Sequence, residues 1–188
     1  MTRNTISYKL PAILALLFVV LTMRPLAAQE KVNWMTFEEA VALAKEQPKH
    51  IFIDVYTDWC GWCKKMDAST FVDPVIVDLL NKHYYAVKLD AEQKDTIYFM
   101  DKAFVNTNPE GKRATHQMAQ ALLKGKMSYP SYVFLNSQTE WLTVVNGYRK
   151  SPEMEQVLTY FGESIYETKT WEQFMATFVS RLTGESAQ

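Results

Sequence analysis

Residues 50–66 read HIFIDVYTDWCGWCKKM, and this stretch decides the fold. His50 to Tyr56 is a β-rich run, apolar at nearly every position and without clean alternation. Such a run suits a central strand covered on both faces. Its one charge, Asp54, is therefore expected to be buried; the bland alternative is a strand-end aspartate facing water. Thr57 and Asp58 make a turn, and the chain then runs through Trp59, Cys60, Gly61, Trp62 and Cys63 into a helix. Backbone N–H groups and the dipole at a helix N-terminus stabilise a thiolate, which favours Cys60 as a nucleophile. Cys63 lies one helical turn on, close enough to attack a mixed disulfide on Cys60 and release its product.

Cys60 and Cys63 are the only cysteines of the chain. Three other uses of the pair compete with thiol exchange. A zinc half-site needs about two further ligands, and the histidines His50, His83 and His116 are not at paired spacing. A structural disulfide closing so short a loop removes little unfolded-chain entropy. Copper handling would use the soft thiolates, but the nine methionines are scattered rather than clustered.

Outward from this centre, Thr36 and Glu39 form a capping box ahead of a helix with Phe37, Ala40, Val41 and Ala44 on one stripe, ended by Pro48. Asp73 and Pro74 read as N-cap and first residue of a helix over VIVDLLNKH. Strands are expected at Tyr84–Leu89, Ser131–Leu135 and Trp141–Val145, the last ended by Gly147. Between Asp90 and Pro130, two helical stretches are expected at about 94–105 and 113–124, separated by a loop at 106–111. Ser151 and Pro152 open a further helix. Thr170 and Gln173 cap a last one, with Trp171, Phe174, Met175 and Phe178 on one stripe. Helices alternating with strands in this order imply an α/β sandwich around a mixed sheet.

Length and composition agree. The chain has 188 residues, 48% hydrophobic and 13% aromatic, which fits one folded domain and excludes a disordered chain. A net charge of −1 gives no electrostatic case for nucleic acid. Two cysteines make neither a disulfide-rich scaffold nor a four-cysteine zinc site. Residues 1–28 read as a secretory signal: Arg3 and Lys9, then the apolar run Leu10–Met23, then small residues at Ala27 and Ala28. An uncleaved anchor is the competing reading, because Arg24 is unusual before a cleavage site. The signal holds three basic and no acidic residues, so its removal leaves a domain over 29–188 with 17 basic and 21 acidic residues, net −4.

The run Asp54–Met66 resembles the active site of the thioredoxin superfamily. The longer stretch Phe52–Leu80 is similar to the carboxy-terminal periplasmic domain of the thiol–disulfide interchange protein DsbD, including Thr70-Phe71-Val72-Asp73-Pro74. Ser128–Leu135 resembles the family's cis-proline loop and the strand after it. The resemblance covers about residues 32–165. It implies a thioredoxin fold: α/β, a mixed central sheet flanked by helices, here with a helical insertion before the cis-proline loop and an extra C-terminal helix.

The resemblance also implies roles. Cys60 is the exposed nucleophile, Cys63 the resolving thiol, and Asp54 a buried carboxylate that accepts the resolving thiol's proton. Asp67 matches a second acidic position that tunes the thiols, or is a solvated helix charge. Lys88 matches a lysine near the buried aspartate, or snorkels at the surface. Trp59 flanks the substrate groove, Tyr129 pairs through its backbone with substrate, and Pro130 is the cis-proline. Trp62 stands where thioredoxin has proline, so it joins the substrate-facing group while leaving the direction of electron flow open.

The function so implied is an exported, periplasmic thiol–disulfide oxidoreductase, reductase rather than oxidase. It would be a monomer that receives electrons from a membrane thiol-reductant transporter and passes them to exported proteins with disulfides. No organic cofactor and no metal are implied, the cysteines being the redox group. The competing classes are a copper carrier using Cys60, Cys63 and His116, and a thioredoxin-fold adaptor that binds partners through the insertion.

Overall fold

A computed structural model describes residues 30–182. The signal expected at 1–28 lies outside them. Among the described residues no helix is long and apolar enough to cross a membrane.

The stretch that opened the sequence reading is the middle of the molecule. Strand β2 (His50–Tyr56) pairs in parallel with β3 (Tyr84–Asp90) on one side and antiparallel with β6 (Ser131–Leu135) on the other. Strand β1 (Trp34–Met35) adds in parallel to β3, and β7 (Trp141–Asn146) adds antiparallel to β6. The mixed sheet therefore runs β1-β3-β2-β6-β7. Ile51, Phe52, Ile53 and Val55 are each 0% exposed. Burial on both faces explains the missing alternation, and each such side chain contributes about 1.5–3 kcal/mol.

Helices cover both faces. Helix α1 (Phe37–Glu46) begins at the expected capping box, where the Glu39 N–H donates to Thr36 Oγ1 and the Thr36 N–H donates to Glu39 Oε2. It buries Phe37, Ala40, Val41 and Ala44 against Ile51, Ile53 and Val55. Helix α2 (Gly61–Ala68) follows the cysteine turn, and a 3₁₀ turn at Thr70–Val72 leads into α3 (Pro74–His83). Asp73 caps α3, accepting the Val75 N–H at 3.0 Å. Ile76, Leu79 and Leu80 of α3 pack on the opposite sheet face, with Phe52 and Phe134.

The segment between β3 and β6 corrects the sequence expectation. Instead of a helix at 94–105 there is a hairpin, β4 (Ile97–Phe99) and β5 (Lys102–Phe104). Ile97 is buried, Tyr98 is exposed, and the Phe99 ring meets Phe37 edge-on at 5.2 Å. This is period-two burial, and aromatic and β-branched residues favour it. The turn residues Met100 and Asp101 have φ of 49° and 58°, a type I′ geometry without its usual Asn-Gly. The second expected helix is shorter, α4 (Gln117–Leu122).

After β7, α5 (Ser151–Gly162) has Lys150 rather than Ser151 as N-cap, and the Lys150 N–H donates to Glu153 Oε2 at 2.7 Å. The expected C-terminal helix is α6 (Trp171–Met175), whose Trp171 and Phe174 pack on Tyr160. It ends before Phe178, which still reaches the Phe174 ring at 5.0 Å.

Candidate active site

Two loops at one end of the central strands form the site. The first leaves β2. Its turn is closed by the Cys60 N–H donating to Thr57 O at 3.0 Å. Cys60 then serves as N-cap of α2, its Sγ accepting the Cys63 N–H at 3.1 Å. The two cysteines are joined in a disulfide. The second loop carries the Tyr129–Pro130 peptide bond, which is cis. Ser131, the next residue, pairs with Val55 near the end of β2, which brings the two loops to the same edge. Gly147, with φ of 87° that a side chain would strain, ends β7 and donates its N–H to Pro130 O at 2.9 Å.

Cys60 corrects one expectation. It is 4% exposed, scarcely more than Cys63 at 1%, so it is not an open thiol in this disulfide state. The exposed groups are its neighbours, Trp59 at 49% and Trp62 at 56%. Trp59 meets the Tyr129 ring edge-on at 5.8 Å, and Trp62 lies 5.1 Å from the Tyr148 ring. The Lys65 ammonium sits over both Trp62 and Tyr148. The disulfide is thus framed by an aromatic surface.

On the strand that leads to the disulfide, six residues before Cys60, a row of polar groups crosses the sheet. Register places Lys88 of β3, Asp54 of β2 and Tyr132 of β6 side by side. Asp54 is 1% exposed, which decides against the solvent-facing alternative. Lys88 Nζ donates to Asp54 Oδ2 at 2.7 Å and also to Asp67 Oδ1. Asp67 and Lys88 are therefore joined with Asp54 in one cluster. The Lys88 ammonium also lies over the rings of Trp34, Tyr56 and Phe71. Burial raises the Asp54 carboxyl to about 6, the charge and hydrogen bond of Lys88 only partly opposing it. Burial works against the Lys88 charge too, but Asp54 and Asp67 outweigh it and hold Lys88 above the ordinary lysine range. Asp54 Oδ1 and the Tyr132 hydroxyl are buried without a hydrogen-bond partner.

His116 does not join this site as the copper reading requires. It is fully buried and caps α4, its Nδ1 accepting the Met118 N–H at 3.1 Å and its Nε2 lying 3.0 Å from Asp95 O. Among the described residues no three His, Cys, Asp or Glu side chains cluster as metal ligands would. Sequence reasoning missed Glu92 and Arg113, which both contact Trp59. They come from polar loops with no motif to mark them.

A five-stranded mixed sheet with Cys-x-x-Cys at the end of its central strand, opposite a cis-proline, defines a thioredoxin-fold protein with a site of thiol–disulfide oxidoreductase type. More particularly, the profile of the Thioredox_DsbH family, described as a protein of unknown function (DUF255), matches residues 24–173, and the chain belongs to that family. Disulfide bond reductase DsbH of Chlamydia pneumoniae is 28% identical over 120 residues, 63% of this chain and 64% of that protein. Thiol:disulfide interchange protein DsbD of Pseudoalteromonas atlantica is 42% identical over 49 residues, 26% of this chain and 8% of that protein. The first curated relatives are much longer: the match to Spermatogenesis-associated protein 20 of Rattus norvegicus, 31% identical over 85 residues, takes in 45% of this chain and 11% of that protein. Among solved structures, a DsbH oxidoreductase superposes with a TM-score of 0.52 at 21% identity, covering 78% of this chain and 91% of the other. A thioredoxin from Thermus thermophilus gives 0.54 at 17% identity, covering 80% and 100%.

Proposed function

We propose that the chain is an exported protein-disulfide reductase whose redox group is the Cys60–Cys63 pair itself. One observation carries the reading: the disulfide opens a helix just after β2, the strand that carries the buried Asp54 carboxyl, and exposed Trp59 and Trp62 flank its first cysteine and precede its second. In the reduced protein, the Cys60 thiolate attacks one sulfur of a substrate disulfide. That S–S bond breaks, the other substrate sulfur leaves as a thiolate, and a mixed disulfide forms on Cys60. Cys63 then gives up its proton, for which Asp54 near pKa 6 is a suitable acceptor, and attacks the Cys60 sulfur. The Cys60–Cys63 bond forms, the second substrate thiolate leaves and is protonated, and two electrons have passed to the substrate.

Support for the reductase direction comes from the likeness to a disulfide bond reductase. Support for a membrane thiol-reductant transporter as electron donor comes from the shorter likeness to DsbD. Export rests on residues 1–28, which have the pattern of a secretory signal. The substrates are exported proteins with disulfides, met by Trp59, Trp62, Tyr129 and Pro130, with Asp67 positioning Lys88.

The test is reduction of insulin by the prereduced protein. Wild type reduces it, Cys60→Ser does not, and Cys63→Ser accumulates mixed disulfides. A Cys60→Ser variant as active as wild type overturns the mechanism. The equilibrium potential of the pair fixes direction: a value near thioredoxin, about −270 mV, supports a reductase, and one near DsbA, about −120 mV, an oxidase.

A further inference from the structure

The loop after β3 and the loop before α4 meet at the side of Trp59. The indole Nε1–H donates to Glu92 Oε1 at 2.9 Å. The guanidinium of Arg113 lies over the same ring, 4.7 Å from its centroid. With Tyr129, Thr115 and Met127 these groups line an open cavity of about 290 Å³. One wall is the residue before Cys60 and another is the residue before the cis-proline, so a polypeptide presenting its disulfide to Cys60 runs alongside this cavity.

The charges of the cavity are placed rather than random. Glu92 is fixed twice, by the indole and by its own N–H donating to Asp90 Oδ1 at 2.9 Å. Arg113 is exposed and forms no ion pair among the described residues, while Glu110 of the same insertion is taken by Lys94 at 2.6 Å. Arg113 also holds a φ of 58°, a left-handed backbone that a side-chain-bearing residue adopts at a cost. A guanidinium stacked by its face keeps its edge N–H groups free for a carboxylate, which they grip in pairs.

On the reading of this site as a protein-disulfide reductase, we infer that Arg113 sets its specificity by receiving a carboxylate of the substrate chain, so that disulfides flanked by acidic residues are the preferred class. Glu92 supplies the opposite wall, holding the indole as the floor of the subsite and repelling a carboxylate placed on the wrong side. The insertion between β3 and β6 thereby becomes a substrate-reading element.

The experiment measures the second-order rate at which peptide disulfides oxidise the prereduced protein. The peptides differ only at the residues flanking the cysteines, which are Asp, Ser or Lys. Wild type reacts in the order Asp, Ser, Lys, with about a tenfold ratio between Asp and Lys at low salt that shrinks as salt is added. In Arg113→Gln the ratio falls below twofold, in Arg113→Glu it inverts, and in Glu92→Gln, which keeps an acceptor for the indole, it rises. Lys112→Gln, exposed next door and outside the cavity, retains the wild-type ratio. Reaction with the Ser peptide verifies that each variant is folded and reduced. A wild-type ratio near one, a wild-type ratio persisting in Arg113→Gln, or an equal loss in Lys112→Gln overturns the inference. Failure of the reductase reading looks different: no peptide oxidises the wild-type protein at all.

Discussion

Asp54→Asn keeps the shape of the buried side chain and removes its charge. Asp54 is 1% exposed, with Lys88 on one oxygen and nothing on the other. Its carboxyl titrates at about 6 in the fold, against about 3.9 in the unfolded chain. The folded state therefore binds this proton more tightly. Below about pH 3 the carboxyl is neutral in both states and costs nothing. Between pH 4 and 6 the cost of holding it ionised grows by about 1.4 kcal/mol per pH unit, and above pH 7 it levels off near 3 kcal/mol. In Asp54→Asn that cost is absent, and Lys88 keeps Asp67 as its partner. Guanidinium unfolding of the oxidised protein and the variant, followed by far-UV circular dichroism at pH 4, 5, 6 and 7, isolates the effect. Other titrating groups cancel in the difference. The variant should gain about 2 kcal/mol on wild type between pH 4 and 7. A difference flat to within about 0.5 kcal/mol, or a gain by wild type, would mean that Asp54 ionises as freely inside as outside, and the burial reasoning would fail.

Lys88→Met keeps an apolar side chain of similar length beside Trp34, Tyr56 and Phe71 but removes the ammonium that pairs with Asp54; the carboxyl midpoint, followed by carbon NMR, should move above about 6, and an unchanged or lower midpoint counts against the pairing. Replacing Met100 and Asp101 by Asn and Gly suits their positive φ angles and should add about 0.5–1 kcal/mol, seen as a rise of a few degrees in Tm; a fall would mean the hairpin turn is not type I′.

The sequence carried the centre of the fold and much less of its flank. HIFIDVY declared a doubly covered strand because every residue but His50 and Asp54 is apolar, and the caps at Thr36, Asp73 and Thr170 marked helix starts through local hydrogen bonds. Strand β1 escaped notice because two residues make no pattern and are strand only through pairing with β3. The hairpin at Ile97–Phe104 read as helix because its turn lacks the usual residues and its burial comes from contact with Phe37. The site divides in the same way. Cys60, Cys63 and Asp54 lie within ten residues of one another on one local motif. Joining Lys88 to both Asp54 and Asp67 takes the register of β2 against β3, and bringing Glu92 and Arg113 to Trp59 takes two long loops. No local rule encodes those meetings.

The hydrogen bond from the Cys63 N–H to Cys60 Sγ links the two halves of the redox pair by something other than the disulfide. On the proposed mechanism, the accepting sulfur is the one left as a thiolate when the S–S bond opens, and the same bond then becomes charge-assisted. On that mechanism, the end of α2 therefore serves the oxidised pair as a second tether and the reduced pair as a counter-charge.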